Sequence, residues 1–322
     1  MGERQVRIGL VDVDSHNFPN LPLMKISAWH KGRGDSVEWY EPLLGHFDKV
    51  YLSKVFSFTP DYDWPIYADE VVRGGSGYCI KIKDGMECWD NTQNTSLPYE
   101  IEHIYPDYSL YGITDTAYGF MSRGCPRGCD FCHVARKEGR RSYKVADLSE
   151  FWRGQKNIIA LDPNVLACPD WSDILHQVRD SHAWVEFNQG FDIRVMDVAR
   201  TEAIMELKIK MLHFAWDKYE DGDMIKPRFK MFKERSGIDH RKLLVYVLCA
   251  YNTTIQQDLE RIYWLRDNGY EPFVMLYNKE NLPRMDIRRK MVQWCNNKFI
   301  FHSCLRFEDF ERGVYEQLTA VQ

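Results

Sequence analysis

From about residue 117 the chain alternates short β-branched or aromatic runs with longer amphipathic stretches, the pattern of repeated βα units. The apolar runs predict strands at Ala117–Ser122, Asn157–Leu161, Trp184–Asn188, Met211–Trp216, Leu243–Cys249, Phe273–Tyr277 and Phe299–His302, with helices between them. One helix is well signalled. Thr254 is placed to cap it with Gln257 three residues on, Ile255, Leu259 and Ile262 form an apolar stripe, and Gly269 supplies a stop. About 200 residues serve this array, fewer than the ~250 of a closed eight-unit barrel, which predicts a partial (βα)6-type TIM barrel with one open side.

The first 100 residues have a different texture. "VRIGLVDVD", "SVEWYEP" and "DKVYLSKVF" predict three strands of a small Rossmann-like parallel α/β domain. The Gly- and Pro-punctuated stretch from Val71 to Ile113 reads as loops, a hairpin and a linker. The expected organisation is a small α/β domain with its linker over 1–100 and the partial barrel with a C-terminal extension over 101–322.

Composition narrows the class. The 322 residues, 44% hydrophobic and 14% aromatic, suffice for one large domain or two moderate ones. Net charge is −5, which argues against a broad nucleic-acid-binding surface. The first six residues carry no apolar signal run and fail the myristoylation pattern at Val6, and no stretch reaches the roughly 18 apolar residues of a membrane span. A cytoplasmic protein without membrane partners is expected. The nine cysteines are then better explained by metal or redox chemistry than by a disulfide framework.

Three of them fall in "GCPRGCDFC", residues 124–132: Cys125, Cys129 and Cys132 have the spacing C-x3-C-x2-C directly after a predicted strand, where a βα barrel presents its functional loops. Three thiolates leave one iron of a [4Fe-4S] cluster without a protein ligand, whereas a structural zinc ion needs a fourth donor. His133 adjoins Cys132 and offers a Cys3His zinc set as the alternative, although adjacent residues rarely chelate comfortably. The cluster is the favoured reading. The other six cysteines, Cys79, Cys88, Cys168, Cys249, Cys295 and Cys304, form no second tight set and read mostly as buried thiols.

With Phe131 just before the third cysteine, in the loop after the first strand of a βα array, this segment resembles the radical S-adenosylmethionine superfamily over roughly residues 115–305. The preceding α/β segment resembles the N-terminal domain of its subgroup with a cobalamin-binding-like module. The resemblance implies a partial barrel, a [4Fe-4S] cluster on the three cysteines, and S-adenosylmethionine chelated by the open iron. It further implies an electron donor such as flavodoxin or ferredoxin, reductive cleavage to methionine and a 5′-deoxyadenosyl radical, and hydrogen abstraction from a substrate the sequence does not name. A cobalamin-dependent radical methyltransferase, and a non-catalytic iron-sulfur or zinc protein, stand as alternatives.

Cofactor contacts are expected at the ends of the later strands. Asp162 and Asn164 follow the second strand, where the family has a turn that meets the methionine amine, although the usual glycines are missing and a capping turn is the alternative. Asn188, Gln189, Asp192 and Arg194 follow the third, with groups suited to a zwitterionic amino acid and a ribose, or simply a solvated loop. Asp217 after the fourth strand is a candidate ribose partner. Asn252 and Thr253 read as introducing the next helix, and Tyr277 and Asn278 end the sixth strand. The run Arg136, Lys137, Arg140, Arg141 and Lys144 is either a steering patch for a reductase or anionic substrate, or solvated surface.

The N-terminal domain is expected to be cobalamin-binding-like in fold and empty of cobalamin. Asp14-Ser15-His16, Ser53 and Gly74-Gly75 resemble fragments of the cobalamin signature, with His16 as cobalt ligand and Asp14 orienting it. Pro19, however, stands where the signature has glycine, and it restricts both its own φ and the conformation of Phe18.

Overall fold

The structure, a computed structural model, describes residues 5–15, 18–83, 86–93 and 96–312 and contains two compact units, Met1–Pro163 and Asn164–Gln322. Both are mixed α/β. Among the described residues no helix is long and apolar enough to cross a membrane.

In the first unit β1 (Arg7–Asp12), β2 (Ser36–Trp39), β3 (Phe47–Ser53) and β4 (Ala68–Gly74) form a parallel sheet in the order β2-β1-β3-β4. Alternation along β1 sorts its side chains. Ile8 and Leu10 pack with Leu23 and Ile26 of α1 (Leu21–Gly32), while Val11 joins Tyr40, Phe47, Val50 and Leu52 in a second cluster. Each such aliphatic side chain, fully buried, is worth about 1.5–3 kcal/mol. Helix α1 begins where Asn20 accepts a hydrogen bond from the Leu23 N–H, with Pro22 in its first turn.

The three strands expected here are present, and β4 is a fourth that the apolar pattern did not signal. It carries Asp69 and Glu70 and no fully buried residue, as suits a sheet edge with one flank exposed. The expected hairpin follows the short helix α2 (Ser76–Cys79) as β5 (Ile80–Lys83) and β6 (Met86–Trp89). The expected linker is pinned to its unit. Lys25 Nζ lies 3.2 Å from Glu102 Oε1 at the end of α3 (Tyr99–Glu102), and the Tyr108 hydroxyl donates to the Phe151 carbonyl at 2.8 Å. The unit continues with β7 (Thr116–Gly119), β8 (Ser122–Arg123), α4 (Val134–Glu138), β9 (Tyr143–Lys144) and β10 (Asn157–Ala160); β7 and β10 are parallel partners.

The second unit repeats one theme: α5 (Trp171–Asp180), β11 (Trp184–Phe187), α6 (Val198–Met205), β12 (Lys208–Ala215), α7 (Gly222–Ser236), β13 (Leu243–Cys249), α8 (Ile255–Asp267) and β14 (Glu271–Leu276). Its strands pair in parallel in sequence order. Phe214 of β12 meets Phe229 and Phe232 of α7 at ring separations of 5.8 and 5.2 Å. Helix α8 has the expected capping box, with Gln257 N–H donating to Thr254 Oγ1 and Thr254 N–H to Gln257 Oε1, and Gly269 follows it at φ +77°.

The chain then forms α9 (Ile287–Asn296), α10 (Lys298–Ser303) and α11 (Phe307–Glu311). The strand expected at Phe299–His302 is therefore a helix. A strand would point Phe299 and Phe301 to one side, but Phe299 is 71% exposed and Phe301 is buried 4.8 Å from the Trp294 ring. Asn297 starts this helix by accepting from the Ile300 N–H.

Candidate functional site

The cysteine loop leaves β8 and returns through α4 to β9, which pairs antiparallel with β8. Two glycines shape it. Gly124 has φ +76°, and a Cβ there would fall 2.0 Å from the Arg141 carbonyl oxygen; Gly128 has φ +58° with the Arg140 guanidinium against it. Hydrogen bonds from Gly124 N–H to Glu138 Oε2, Cys125 N–H to the Gly139 carbonyl and Cys132 N–H to the Cys129 carbonyl fix the turns between the thiols. Arg123 anchors the base through Glu138 at 2.9 Å and Glu102 at 3.0 Å. Cys125, Cys129, Cys132 and Phe131 are half-buried.

Asp162 supports this loop from beneath. It is buried, and its Oδ1 accepts from Met121 N–H, Ser122 N–H and Ser122 Oγ, so one carboxylate oxygen holds the strand from which Gly124 and Cys125 spring. Burial raises its pKa to about 6, and Oδ2 has no hydrogen-bond partner. The expected contact with a methionine amine thus gives way, at Oδ1, to a positioning role. Because the folded-state pKa lies above the ordinary value, the group favours the folded state most below about pH 4 and loses that contribution as pH rises through about 6. Asp162→Asn, which keeps the acceptor, is expected to gain stability relative to wild type between about pH 4.5 and 7.5, by at most about 3 kcal/mol. Parallel stability profiles by chemical denaturation would refute this assignment.

In the second unit four of the expected cofactor residues come together. Asn164 Nδ2 donates to Asp192 Oδ2 at 3.1 Å, Asp192 Oδ1 accepts from Arg194 Nε at 2.7 Å, and Arg194 Nη1 reaches Asp221 Oδ2 at 3.4 Å. Asp217 feels the charges of this group, and burial lifts its carboxyl to about 6. Arg194 is therefore held between two carboxylates. Asn188 is half-buried and Gln189 exposed on the turn after β11, outside the hydrogen bonds that link this set. Thr253 donates to Asp258 Oδ1 at the start of α8, in keeping with a helix-entry role, and Asn252 takes a positive φ of 53°.

Two further features escape sequence reasoning. Arg261 of α8, fully buried, donates to the Trp216, Asp217 and Leu248 carbonyls and to Asp258, tying the ends of β12 and β13 and the backbone of Asp217 into one frame. Across three adjacent strands, Tyr246 OH lies 2.9 Å from His213 Nδ1, and His213 Nε2 lies 3.2 Å from Glu186 Oε1. Both ring nitrogens of His213 are thus engaged, one by the phenol and one by the carboxylate. That bond holds Glu186 below its usual range, and burial raises Tyr246. The only signal in the sequence is a polar residue within each apolar run.

The expected cobalamin elements are otherwise engaged. Asp14 accepts from the Val55 and Phe56 N–H groups at 2.7 and 2.8 Å, one per carboxylate oxygen, so it anchors the loop after β3. His16 lies outside the described residues. Ser53 Oγ accepts from Asn20, and Gly75 passes so close to the Lys54 carbonyl that a Cβ would lie 2.2 Å from its oxygen. An open cleft of about 620 Å³ at the ends of β1 and β2 is lined by Trp39, Tyr62, Trp64 and Tyr111 with Asp12, Asp61 and Asp63. Its aspartates disfavour phosphate-bearing ligands. Among the remaining cysteines, Cys79, Cys168, Cys249, Cys295 and Cys304 are buried and Cys88 half-buried; burial pushes the Cys295 thiol up to about 12. No protein-family model matches the chain, and no curated protein matches its sequence.

Proposed function

We propose that this protein is a radical S-adenosylmethionine enzyme, with a partial (βα)6-type barrel preceded by a Rossmann-like, cobalamin-binding-like domain that works without a corrinoid. The observation that carries the reading is the three-cysteine loop, whose glycine-dependent turns are closed by a hairpin and braced by Asp162. The donor set suits a [4Fe-4S] cluster, because three thiols and no fourth cysteine in the loop leave one iron for another ligand. When bound, such a cluster supplies the electron that splits S-adenosylmethionine into methionine and a 5′-deoxyadenosyl radical.

The protein's own part is ligation, orientation and exclusion of water. Arg194, oriented by Asp192 and Asp221, is suited to a carboxylate, and Asp217 to ribose hydroxyls. The Glu186–His213–Tyr246 row provides a connected polar surface for a substrate. The basic run from Arg136 to Lys144 suits an acidic electron donor of the flavodoxin or ferredoxin type, in a cytoplasmic setting that keeps thiols reduced.

Anaerobic protein loaded with iron and sulfide, given dithionite and S-adenosylmethionine, is expected to release 5′-deoxyadenosine, read by mass spectrometry. Loaded protein that releases none under these conditions would sink the enzyme reading. A second reading, a Cys3His zinc site, rests on the His133 ring: its Nε2 faces Glu87 at 3.0 Å, but its buried Nδ1 has no hydrogen-bond partner. That reading requires tightly held zinc that is lost in His133→Ala.

A further inference from the structure

At the opposite end of the second unit's strands from Asp192, Arg194 and Asp217, three potential ligands meet. His240 stands in the turn that leads into β13, Glu271 opens β14, and His302 lies on α10. Their donor atoms all fall within 4.8 Å of one another. Glu271 Oε1 is 2.9 Å from His302 Nε2 and 3.5 Å from His240 Nε2. We propose that His240, Glu271 and His302 form a binding site for a divalent transition metal, best suited to zinc, that staples α10 to the N-terminal ends of β13 and β14.

The geometry suits such an ion. Bonds of about 2.0–2.1 Å in a tetrahedron place neighbouring ligand atoms about 3.3 Å apart. Both carboxylate–imidazole distances bracket that value, so the ion replaces a hydrogen-bonding proton with little movement of the backbone. Both imidazole side chains are nearly half exposed while Glu271 is buried, so an ion enters from solvent and water fills the fourth position. Two nitrogen donors exclude calcium and magnesium, which require oxygen.

Two neighbours complete the arrangement. Asp239 Oδ1, which accepts from Arg241, lies 3.4 Å from Nδ1 of His240, near enough that a small turn of the ring lets the carboxylate fix the tautomer that leaves Nε2 to bind metal. Lys298 Nζ donates to the Pro272 carbonyl and pairs with Glu271 Oε2 at 3.2 Å without a hydrogen bond to it, so its charge tempers the affinity while Oε1 faces both imidazoles. The alternative is a metal-free hydrogen-bonded cluster with the same contacts.

The site is independent of the cysteine loop, and its test must keep the two apart. Chelator-stripped full-length protein is titrated with zinc alone by calorimetry, and with cobalt(II) by visible absorption. One zinc equivalent is expected to disappear in His302→Ala and in His240→Ala, with Asp239→Asn weakening it roughly tenfold. Cobalt in this site should show d–d bands without thiolate charge transfer, and should persist when Cys125, Cys129 and Cys132 are replaced. Lys298→Met should tighten binding. The exposed histidines can be replaced without opening the core, and circular dichroism checks that the fold survives. Equal zinc stoichiometry and affinity in wild type and both histidine variants, or cobalt spectra of thiolate type only, would overturn the proposal.

Discussion

Arg261→Met is expected to destabilise the protein by about 3 kcal/mol or more, the largest single-residue effect on folding anticipated outside the glycine turns. The guanidinium is fully buried, and its partners are three backbone carbonyls and Asp258. Methionine fills much of the volume but leaves those carbonyls without a donor in the interior, each omission costing about 1–3 kcal/mol. Asp258 retains Arg288 at 3.0 Å and the Thr253 hydroxyl at 2.7 Å, so its charge is only partly stranded. Urea unfolding of wild type, Arg261→Met and the double variant with Asp258→Asn separates the terms. The double variant should lose less than the sum of the singles, since each removes the same ion pair. A midpoint for Arg261→Met equal to that of wild type would mean the buried network contributes nothing net.

Replacement of Cys125, Cys129 or Cys132 by alanine is expected to abolish iron binding, where wild type takes up about four irons per chain on anaerobic reconstitution. Each cysteine occupies a different turn of a loop whose backbone is fixed by Gly124, Gly128 and the Arg123–Glu138 pair, so no neighbouring thiol can slide into the missing place. Gly124→Ala should behave similarly with all three thiols intact, because its Cβ would collide with the Arg141 carbonyl and the φ of +76° is strained for alanine. Arg194→Ala provides the contrast: iron content stays while affinity for S-adenosylmethionine falls. Iron uptake unchanged by any of the cysteine replacements would show that the loop is not the ligand set.

Local features of the chain are legible in the residue order alone. Short apolar runs mark β1, β3, β11, β12 and β13, because strands of a parallel sheet covered on both faces carry near-continuous apolar residues. The capping box at Thr254 and Gln257 is equally plain, since all its partners lie within four residues. The cysteine spacing names a candidate ligand set for the same reason. Three other features depend on what arrives from far along the chain. Residues 299–302 form a short aromatic and β-branched run that reads as a strand, yet Trp294 and the Asn297 cap draw them into a helix. Arg261 looks like an ordinary solvated helix charge, but the ends of β12 and β13 present carbonyls that only a buried guanidinium satisfies. His240, Glu271 and His302 sit about thirty residues apart, and parallel strand pairing followed by the turn of α10 brings them within reach. Sequence periodicity encodes which face of an element is buried; where a charged or imidazole side chain ends up is decided by its partners, and only tertiary packing assembles those.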